Sequence, residues 1–291
     1  MPSDTYRLAG HSVARVGFGA MQLPGPRVFG APRDRGHALA VLRRAVELGV
    51  DHIDTAQYYG PDVSNDLIRE ALHPYPEHLV LVSKVGAARQ ADGGWVAAQR
   101  PEELRRGVQD NLRSLAVERV DVVNLRLMGA DEGQGATKVP FEDQLAVMTE
   151  LRAEGKIGAL GLSNVTLEQV RAGLAYGEIA CVQNPMSLLQ REDEPVLELC
   201  REAGIPYVAF FPLGSAFPGM PKVTEHPVVR EVAEGLDATP AQVGLAWLLQ
   251  HSPNVLAIPG TSSLDHLEEN IAARQVHLDT ECLTRLEAAT G

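Results

Sequence analysis

Leu79-Val80-Leu81-Val82-Ser83-Lys84 is a run of four aliphatic residues closed by a serine and a lysine. A segment this short and this apolar is buried on both faces, as the strands of a parallel sheet are. Its surroundings repeat the theme. Upstream, residues 52–54 form a shorter strand, and between the two strands residues 65–72 read as a helix stopped before Pro74. Downstream come helix 101–115, strand 120–126, helix 141–154, strand 157–163, helix 167–174 and strand 179–183. The remainder divides into helix 195–203, strand 206–211, two successive helices 226–236 and 240–250, strand 255–258 and a closing helix 264–273.

Towards the amino end, residues 35–48 place Ala38, Val41, Leu42, Ala45 and Leu48 at helical spacing, and Gly49 is positioned to end the helix. An apolar segment at 15–19 precedes it. Before that, Tyr6 to Leu8, an Ala9-Gly10 turn and Val13 suit a small hairpin. Counted from Val16, this makes eight strand–helix units with no long polar linker. The expected fold is therefore α/β, a single (β/α)8 TIM barrel spanning residues 1–291 as one domain, with a short N-terminal β-hairpin. The rival, an open doubly wound sheet, lacks its glycine fingerprint: Gly17-Phe18-Gly19 runs into Ala20-Met21-Gln22-Leu23 without a third glycine opening a helix.

Hydrophobic residues make up 45% and charged residues 22% of the 291, the balance of a globular protein with a full core. A net charge of -12 argues against a general nucleic-acid or anionic-membrane binder. It leaves room for a phosphate-bearing cofactor, which needs only local donors. Cys181, Cys200 and Cys282 are odd in number and widely spaced, suggesting neither a disulfide framework nor a metal-ligand pair. With no signal-peptide core at the start and no run of roughly 18 apolar residues, a cytoplasmic setting is expected. Monomer and homo-oligomer both stay open.

In a barrel, the carboxyl ends of the strands converge on one mouth. Collected there are Gly19, Asp54, Lys84, Arg126, Ser163, Asn164, Gln183, Phe210, Phe211 and the turn 259–263. Three charges ending three consecutive apolar strands are costly unless paired. Asp54 beside Lys84 keeps the lysine charged. A charged lysine near Tyr59 is then expected to lower the tyrosine pKa and make it a proton donor or acceptor near neutral pH. Arg126 adds donors towards a substrate oxygen. The plainer reading is an Asp54–Lys84–Arg126 ion network that seals the barrel end, with Tyr59 packed against it.

At this point the chain resembles an aldo-keto reductase. The resemblance is carried, in the family's order, by Gly17-Phe18-Gly19-Ala20-Met21, His52-Ile53-Asp54-Thr55-Ala56 with Tyr59-Gly60, Ser83-Lys84, Gly161-Leu162-Ser163-Asn164, Val182-Gln183-Asn184, Phe211-Pro212-Leu213-Gly214 and Ile258-Pro259-Gly260-Thr261-Ser262-Ser263 with Glu268-Glu269-Asn270. It implies an NADPH-binding barrel that moves a hydride to a carbonyl carbon while a tyrosine protonates the oxygen. Asp54, Tyr59 and Lys84 match three of the family's four catalytic residues. Ser163, Asn164 and Gln183 match the groups that hold the carboxamide, and Phe210 the aromatic that stacks on the nicotinamide. The other cofactor positions implied are Gly19, Ala20, Met21, Asp54, Phe211, Leu213, Ser215, Gly260, Thr261, Ser262, His266, Glu269 and Asn270.

Two departures from the pattern matter. The fourth catalytic position is usually a histidine, and here Asp121-Val122-Val123-Asn124-Leu125 leads into Arg126. A neutral imidazole donates or accepts, whereas a guanidinium only donates and stays charged, which points to a substrate with an acidic oxygen near its carbonyl. The basic residues that often hold the adenosine 2'-phosphate correspond to Gly260 and His266. Thr261, Ser262 and Ser263, opening a helix, offer hydroxyl and backbone donors in their place. NADPH is the expected cofactor, with NADH not excluded.

Met21, Trp95, Met128 and Phe217 are expected to line the substrate pocket beside Tyr59, suiting a flat or apolar carbonyl compound. Segments 120–128 and 67–76 resemble a bacterial branch that includes pyridoxal reductases, which makes pyridoxal the lead substrate. Two other classes remain in view. One is an NADPH-binding regulatory or interaction subunit with little turnover; the other is a lyase or isomerase using Lys84 as a Schiff-base amine, against which an adjacent Asp54 argues.

Overall fold

Thr5–Leu8 (β1) and His11–Ala14 (β2) pair antiparallel. Between them Ala9 and Gly10 hold φ of 49° and 89°, the paired left-handed conformation whose twist matches that of the flanking strands. The computed structural model describes residues 4–128, 139–214 and 220–289. Leu8 and Val13 of the hairpin pack with Val80, Val122, Val208 and Leu256, so the hairpin closes over the inward-facing side chains of the strands that follow.

Those strands are β3 (Phe18–Gly19), β4 (His52–Asp54), β5 (Val80–Arg89), β6 (Trp95–Ala98), β7 (Val120–Arg126), β8 (Ile157–Ser163), β9 (Val182–Pro185), β10 (Tyr207–Phe210) and β11 (Val255–Ala257). All but β6 form one parallel path, β3-β4-β5-β7-β8-β9-β10-β11. The path closes on itself. Val16 bridges Ala257 in parallel, with Gly17 N–H donating to the Ala257 carbonyl at 2.9 Å and Ala257 N–H to the Arg15 carbonyl at 2.8 Å. The barrel, and the hairpin ahead of it, are as expected.

Helices α1 (Arg35–Glu47), α2 (Val63–Leu72), α3 (Pro101–Leu115), α4 (Phe141–Ala153), α5 (Leu167–Tyr176), α6 (Glu194–Glu202), α7 (Pro227–Gly235), α8 (Pro240–His251), α9 (Leu264–Ala272) and α10 (Thr280–Ala288) surround the barrel. Their starts follow from local chemistry. Asp34 accepts from His37 N–H, and Thr166 and Thr239 open α5 and α8 as capping boxes with Gln169 and Gln242. In α3, Leu104, Val108, Leu112 and Leu115 recur at helical spacing and are buried against the sheet.

Two elements go beyond the sequence reading. The strand expected at 79–84 continues to Arg89 and folds back as β6, pairing antiparallel over Gly86–Ala98 to Arg89–Trp95. The switch comes at Gly86, whose φ is +107° and whose absent Cβ would lie 2.1 Å from the Arg126 carbonyl oxygen, so no other residue fits. The second element is α10, capped by Asp279 and held to α7 through an Arg285–Glu231 pair at 2.9 Å.

The seam of the barrel is pinned by a buried arginine. Arg15 is 3% exposed, and its guanidinium donates to the carbonyls of Val255 at 3.0 Å, Leu249 at 2.7 Å and Ser252 at 2.6 Å. It thereby closes the carboxyl end of α8 onto β11, next to the backbone bridge that joins first strand to last. Burial pushes its pKa down to about 10. Arg15→Met should leave the buried Val255 and Leu249 carbonyls without donors, and the Ser252 carbonyl with only the Val255 N–H at 3.4 Å, and lower the unfolding free energy by about 3 kcal/mol, measured by urea denaturation. Arg15→Lys, lacking the fork, should recover only part of it; full recovery by lysine would mean that charge alone matters at the seam.

Candidate active site

Strand alternation places the first charges. Ile53 faces the helices, so Asp54, next along β4, faces the barrel interior. In β5, Leu81 faces outwards, which turns Val82 and then Lys84 inwards on the adjacent strand. Asp54 and Lys84 are 3% and 4% exposed. The Lys84 ammonium donates to Asp54 Oδ1 and, at 3.0 Å, to the Thr55 carbonyl. Gln183, from β9 across the barrel, donates its Nε2 to Asp54 Oδ2 at 2.7 Å. Both carboxylate oxygens are therefore satisfied in a dry environment, as a buried charge requires.

Tyr59 is set over this pair by the turn after β4. Its N–H donates to the Ala56 carbonyl at 3.0 Å, and its own carbonyl accepts from Ser64 N–H at 3.1 Å at the start of α2. Gly60 follows with φ of +96°, where a Cβ would strike Val63. The Lys84 ammonium lies 5.1 Å from the centroid of the Tyr59 ring. The expected lowering of the Tyr59 pKa is not what this environment produces. Burial pushes the phenol well above its ordinary range, Asp54 adds to the rise, and Arg126 opposes it. Tyr59 is thus held protonated. The charge of Lys84 is already matched by Asp54, so desolvation of the phenol decides the direction.

The mouth holds a cavity of about 640 Å³. It brings together most of the anticipated residues: Gly19, Met21, Asp54, Tyr59, Lys84, Trp95, Arg126, Met128, Asn164, Gln183, Phe210, Phe211, Leu213 and Gly260 all line it. Tyr58, Gln190 and Met220 line it too and were not anticipated. For Tyr58 a signal was available, since it directly precedes Tyr59 on the same turn; Gln190 and Met220 lie in loops with no such pointer. The Tyr58 hydroxyl is buried without a hydrogen-bond partner, and burial raises its pKa above the ordinary value.

One wall is aromatic. Tyr58 meets Tyr59 and Trp95 edge to face, with centroids 5.4 Å and 5.6 Å apart. Trp95, carried by β6, is backed by the Arg89 guanidinium 4.1 Å from its ring. Arg89 is itself fixed by donation to the carbonyls of Gly93, Val28 and Arg27. Here the unanticipated hairpin delivers an anticipated pocket residue.

The opposite side offers unused hydrogen-bonding capacity. Ser163, at the end of β8, and Gln183 are fully buried, and Ser163 Oγ and Gln183 Oε1 have no partner. Asn164 holds φ of +56° and donates its Nδ2 to the Leu127 carbonyl at 2.8 Å. Phe210 and Phe211 pack edge to face at 5.0 Å. Gly19 and Gly260 approach so closely that a Cβ on Gly260 would lie 2.7 Å from the Gly19 carbonyl oxygen. Beyond Gly260, Thr261 Oγ1 accepts from Ser263 N–H at 3.0 Å, and Ser263 caps α9.

Several anticipated positions do not line the cavity. Ala20 is buried in a short turn with its carbonyl accepting from Ser64 Oγ, and Ser163 and Thr261 lie beneath the surface of the site. Ser262 and His266 are exposed at the start of α9, while Glu269 and Asn270 sit further along that helix. Ser215 and Phe217 lie outside the described residues.

The buried phenols have a consequence for stability. An unfolded chain releases tyrosine protons near about pH 10, whereas the folded chain retains those of Tyr58 and Tyr59. Above that pH the unfolded state binds fewer protons, so stability falls as pH rises. Tyr58→Phe should flatten this fall, read as the urea midpoint between about pH 9 and 11.5. An unchanged slope would mean that Tyr58 is not held protonated.

The aldo/keto reductase family model matches residues 15–290. Pyridoxine 4-dehydrogenase of Escherichia coli (strain K12) is 49% identical over 287 residues, covering 99% of this chain and 98% of that protein. A thermostable aldo-keto reductase in complex with the inhibitor epalrestat superposes with a TM-score of 0.82 at 27% identity, covering 98% of this chain and 99% of that one. An aldo/keto reductase from Klebsiella pneumoniae in complex with NADP and acetate gives a TM-score of 0.79 at 26% identity, over 98% and 95% of the two chains. The family match over nearly the whole length, together with the closed barrel and the charged pair at its mouth, places this chain in the aldo/keto reductase family.

Proposed function

We propose that this protein, acting as a single catalytic domain, reduces an aldehyde or ketone to the alcohol with NADPH, and that Tyr59 delivers the proton to the carbonyl oxygen. The observation that carries the reading is the buried Asp54–Lys84 pair beneath a protonated Tyr59 at the edge of a 640 Å³ cavity. When bound, NADPH supplies the hydride from its nicotinamide ring. The residues present suit such a group. Ser163 Oγ and Gln183 Oε1, a donor and an acceptor without partners, match the oxygen and nitrogen of a carboxamide. Phe210, Phe211, Leu213 and Gly260 provide a flat apolar bed beside them.

Met21, Gly19 and Ala20 form the turn at the end of β3 that flanks this bed. Beyond it, the positive end of α9 with Thr261 and Ser262 offers donors for a phosphate, and Glu269 and Asn270 continue along the same helix. Neither Gly260 nor the exposed His266 supplies a fixed positive charge. Preference for NADPH over NADH then rests on those neutral donors, and the ratio of kcat/KM for the two cofactors reads it directly.

In the reaction itself, Tyr59 donates its proton and becomes a phenolate. The Lys84 ammonium, held by Asp54 and the Thr55 carbonyl, stabilises that charge. The same two contacts argue against a Schiff-base role for Lys84, which calls for an uncharged, available amine. Arg126 lines the cavity and pulls against the rise in the Tyr59 pKa, the electrostatic signature of a cation close to the phenol. It polarises the carbonyl and favours substrates with a second, acidic oxygen nearby. Tyr58, Trp95, Met21 and Met128 add flat or adaptable apolar walls. Pyridoxal, an aromatic aldehyde with a phenolic oxygen beside the aldehyde, fits both features, and the Escherichia coli relative is named for the corresponding alcohol. The three cysteines are free, two of them buried, which accords with a cytoplasmic setting. Among the described residues no helix is long and apolar enough to cross a membrane.

A panel of aldehydes including pyridoxal, followed by NADPH oxidation, tests the activity. Tyr59→Phe should lose about 10²- to 10⁴-fold in kcat while NADPH binds as before; turnover near the parent level would place the proton donor elsewhere. Arg126→His should lose at least about tenfold in kcat/KM for aldehydes with a neighbouring acidic oxygen, and less for plain aldehydes. Equal losses on both would remove Arg126 from substrate recognition.

A further inference from the structure

Beneath the charged pair lies a closed circuit of neutral side chains. Thr55 Oγ donates to Asn65 Oδ1 at 2.8 Å, and Asn65 Nδ2 donates to Asn111 Oδ1 at 3.0 Å. Asn111 Nδ2 donates to the Lys84 carbonyl at 3.3 Å, and the Lys84 ammonium returns to the Thr55 carbonyl at 3.0 Å. Thr55, Asn65 and Asn111 are all fully buried. The circuit thus grips Lys84 at both ends, its backbone carbonyl and its ammonium, and joins β4 and β5 to α2 and α3.

The direction of every bond in it is determined. Asn111 Nδ2 faces two backbone carbonyls, those of Lys84 and of Gly107 at 2.9 Å, which can only accept. Its Oδ1 must therefore face Ser83 Oγ and Asn65 Nδ2. Asn65, with its amino group committed to Asn111 and to Ser114 Oγ at 2.9 Å, presents Oδ1 to Thr55, which has to donate. Both amino groups and the Asn111 oxygen are fully committed, and none of these side chains titrates near neutral pH. Asn65 also directly follows Ser64, whose N–H holds the Tyr59 carbonyl, so one turn of α2 touches both the circuit and the proton donor.

We propose that the Thr55–Asn65–Asn111 circuit is a positioning device that sets the Lys84 ammonium against Tyr59. The proposal rests on the reading above that Lys84 and Tyr59 form the proton-donor pair. A lysine has a long, mobile stem, and the circuit removes that freedom without adding charge beside Asp54. A neutral clamp leaves the electrostatics around Tyr59 to Asp54, Lys84 and Arg126.

Thr55→Val, which keeps the shape and the backbone carbonyl but deletes the hydroxyl, tests it. The expected result is a loss of about tenfold or more in kcat with the NADPH KM within about twofold, and recovery of most of kcat in Thr55→Ser. Leu286→Ala, in the core under α10 and remote from the site, supplies a destabilised comparison that should keep its kcat. A second measurement needs no turnover: acetylation of Lys84 by acetic anhydride, followed by peptide mass spectrometry below the unfolding transition. Lys84 should label several-fold faster in Thr55→Val than in the parent or in Leu286→Ala. Equal labelling in all three proteins, or kcat in Thr55→Val within about twofold of a competent parent, would reduce the circuit to a structural one. A parent without turnover would instead overturn the reductase reading, leaving the labelling result to decide the circuit.

Discussion

A carboxylate and an ammonium at the dry end of a barrel are stable only together. Removing either Asp54 or Lys84 strands the other charge, at a cost of about 3–5 kcal/mol. The pair can form because β4 and β5 are adjacent and in register: Asp54 lies opposite Val82, and Lys84 is the next inward-facing residue along. Gln183 completes the arrangement from β9, on the far side of the circle. A sheet that stayed open would not bring that third residue to the same carboxylate. The chemistry at the mouth therefore depends on the seam, and so on Arg15 and the Val16–Ala257 bridge, which no aspect of the reaction would have singled out.

The pair also determines what kind of acid Tyr59 is. A lysine beside a tyrosine suggests a lowered pKa, but here the lysine's charge is matched by Asp54 while the phenol is buried. Desolvation prevails, and the proton stays on the oxygen at neutral pH.

Much of this was legible in the chain because parallel strands buried on both faces leave an unbroken apolar run whose last residue is polar. Asp54, Lys84, Arg126 and Ser163 are visible in that way, and helix starts such as Thr166 and Thr239 are visible through their caps. The strand ending at Gln183 was harder. Residues 179–183 are uniformly apolar before the glutamine, yet the ladder begins only at Val182 and extends to Pro185, a register that only the neighbouring strands decide. β6 is short and gains its partner through a glycine whose φ cannot be read from composition. The roles of Arg15 and of the Asn65–Asn111 contact depend on residues 46 or more positions apart, and local periodicity carries no information at that range.

Gly86 has a meaning for how such a pocket can change. Up to Val85, β5 is tied to β7 and carries Lys84; after Gly86 the same strand belongs to the hairpin that carries Trp95. The left-handed residue works as a mechanical joint between the strand that holds Lys84 and the hairpin that sets Trp95 in the cavity wall. The wall of the cavity and its charged floor are thus neighbours in sequence yet held by different partners, β6 for the one and β7 for the other.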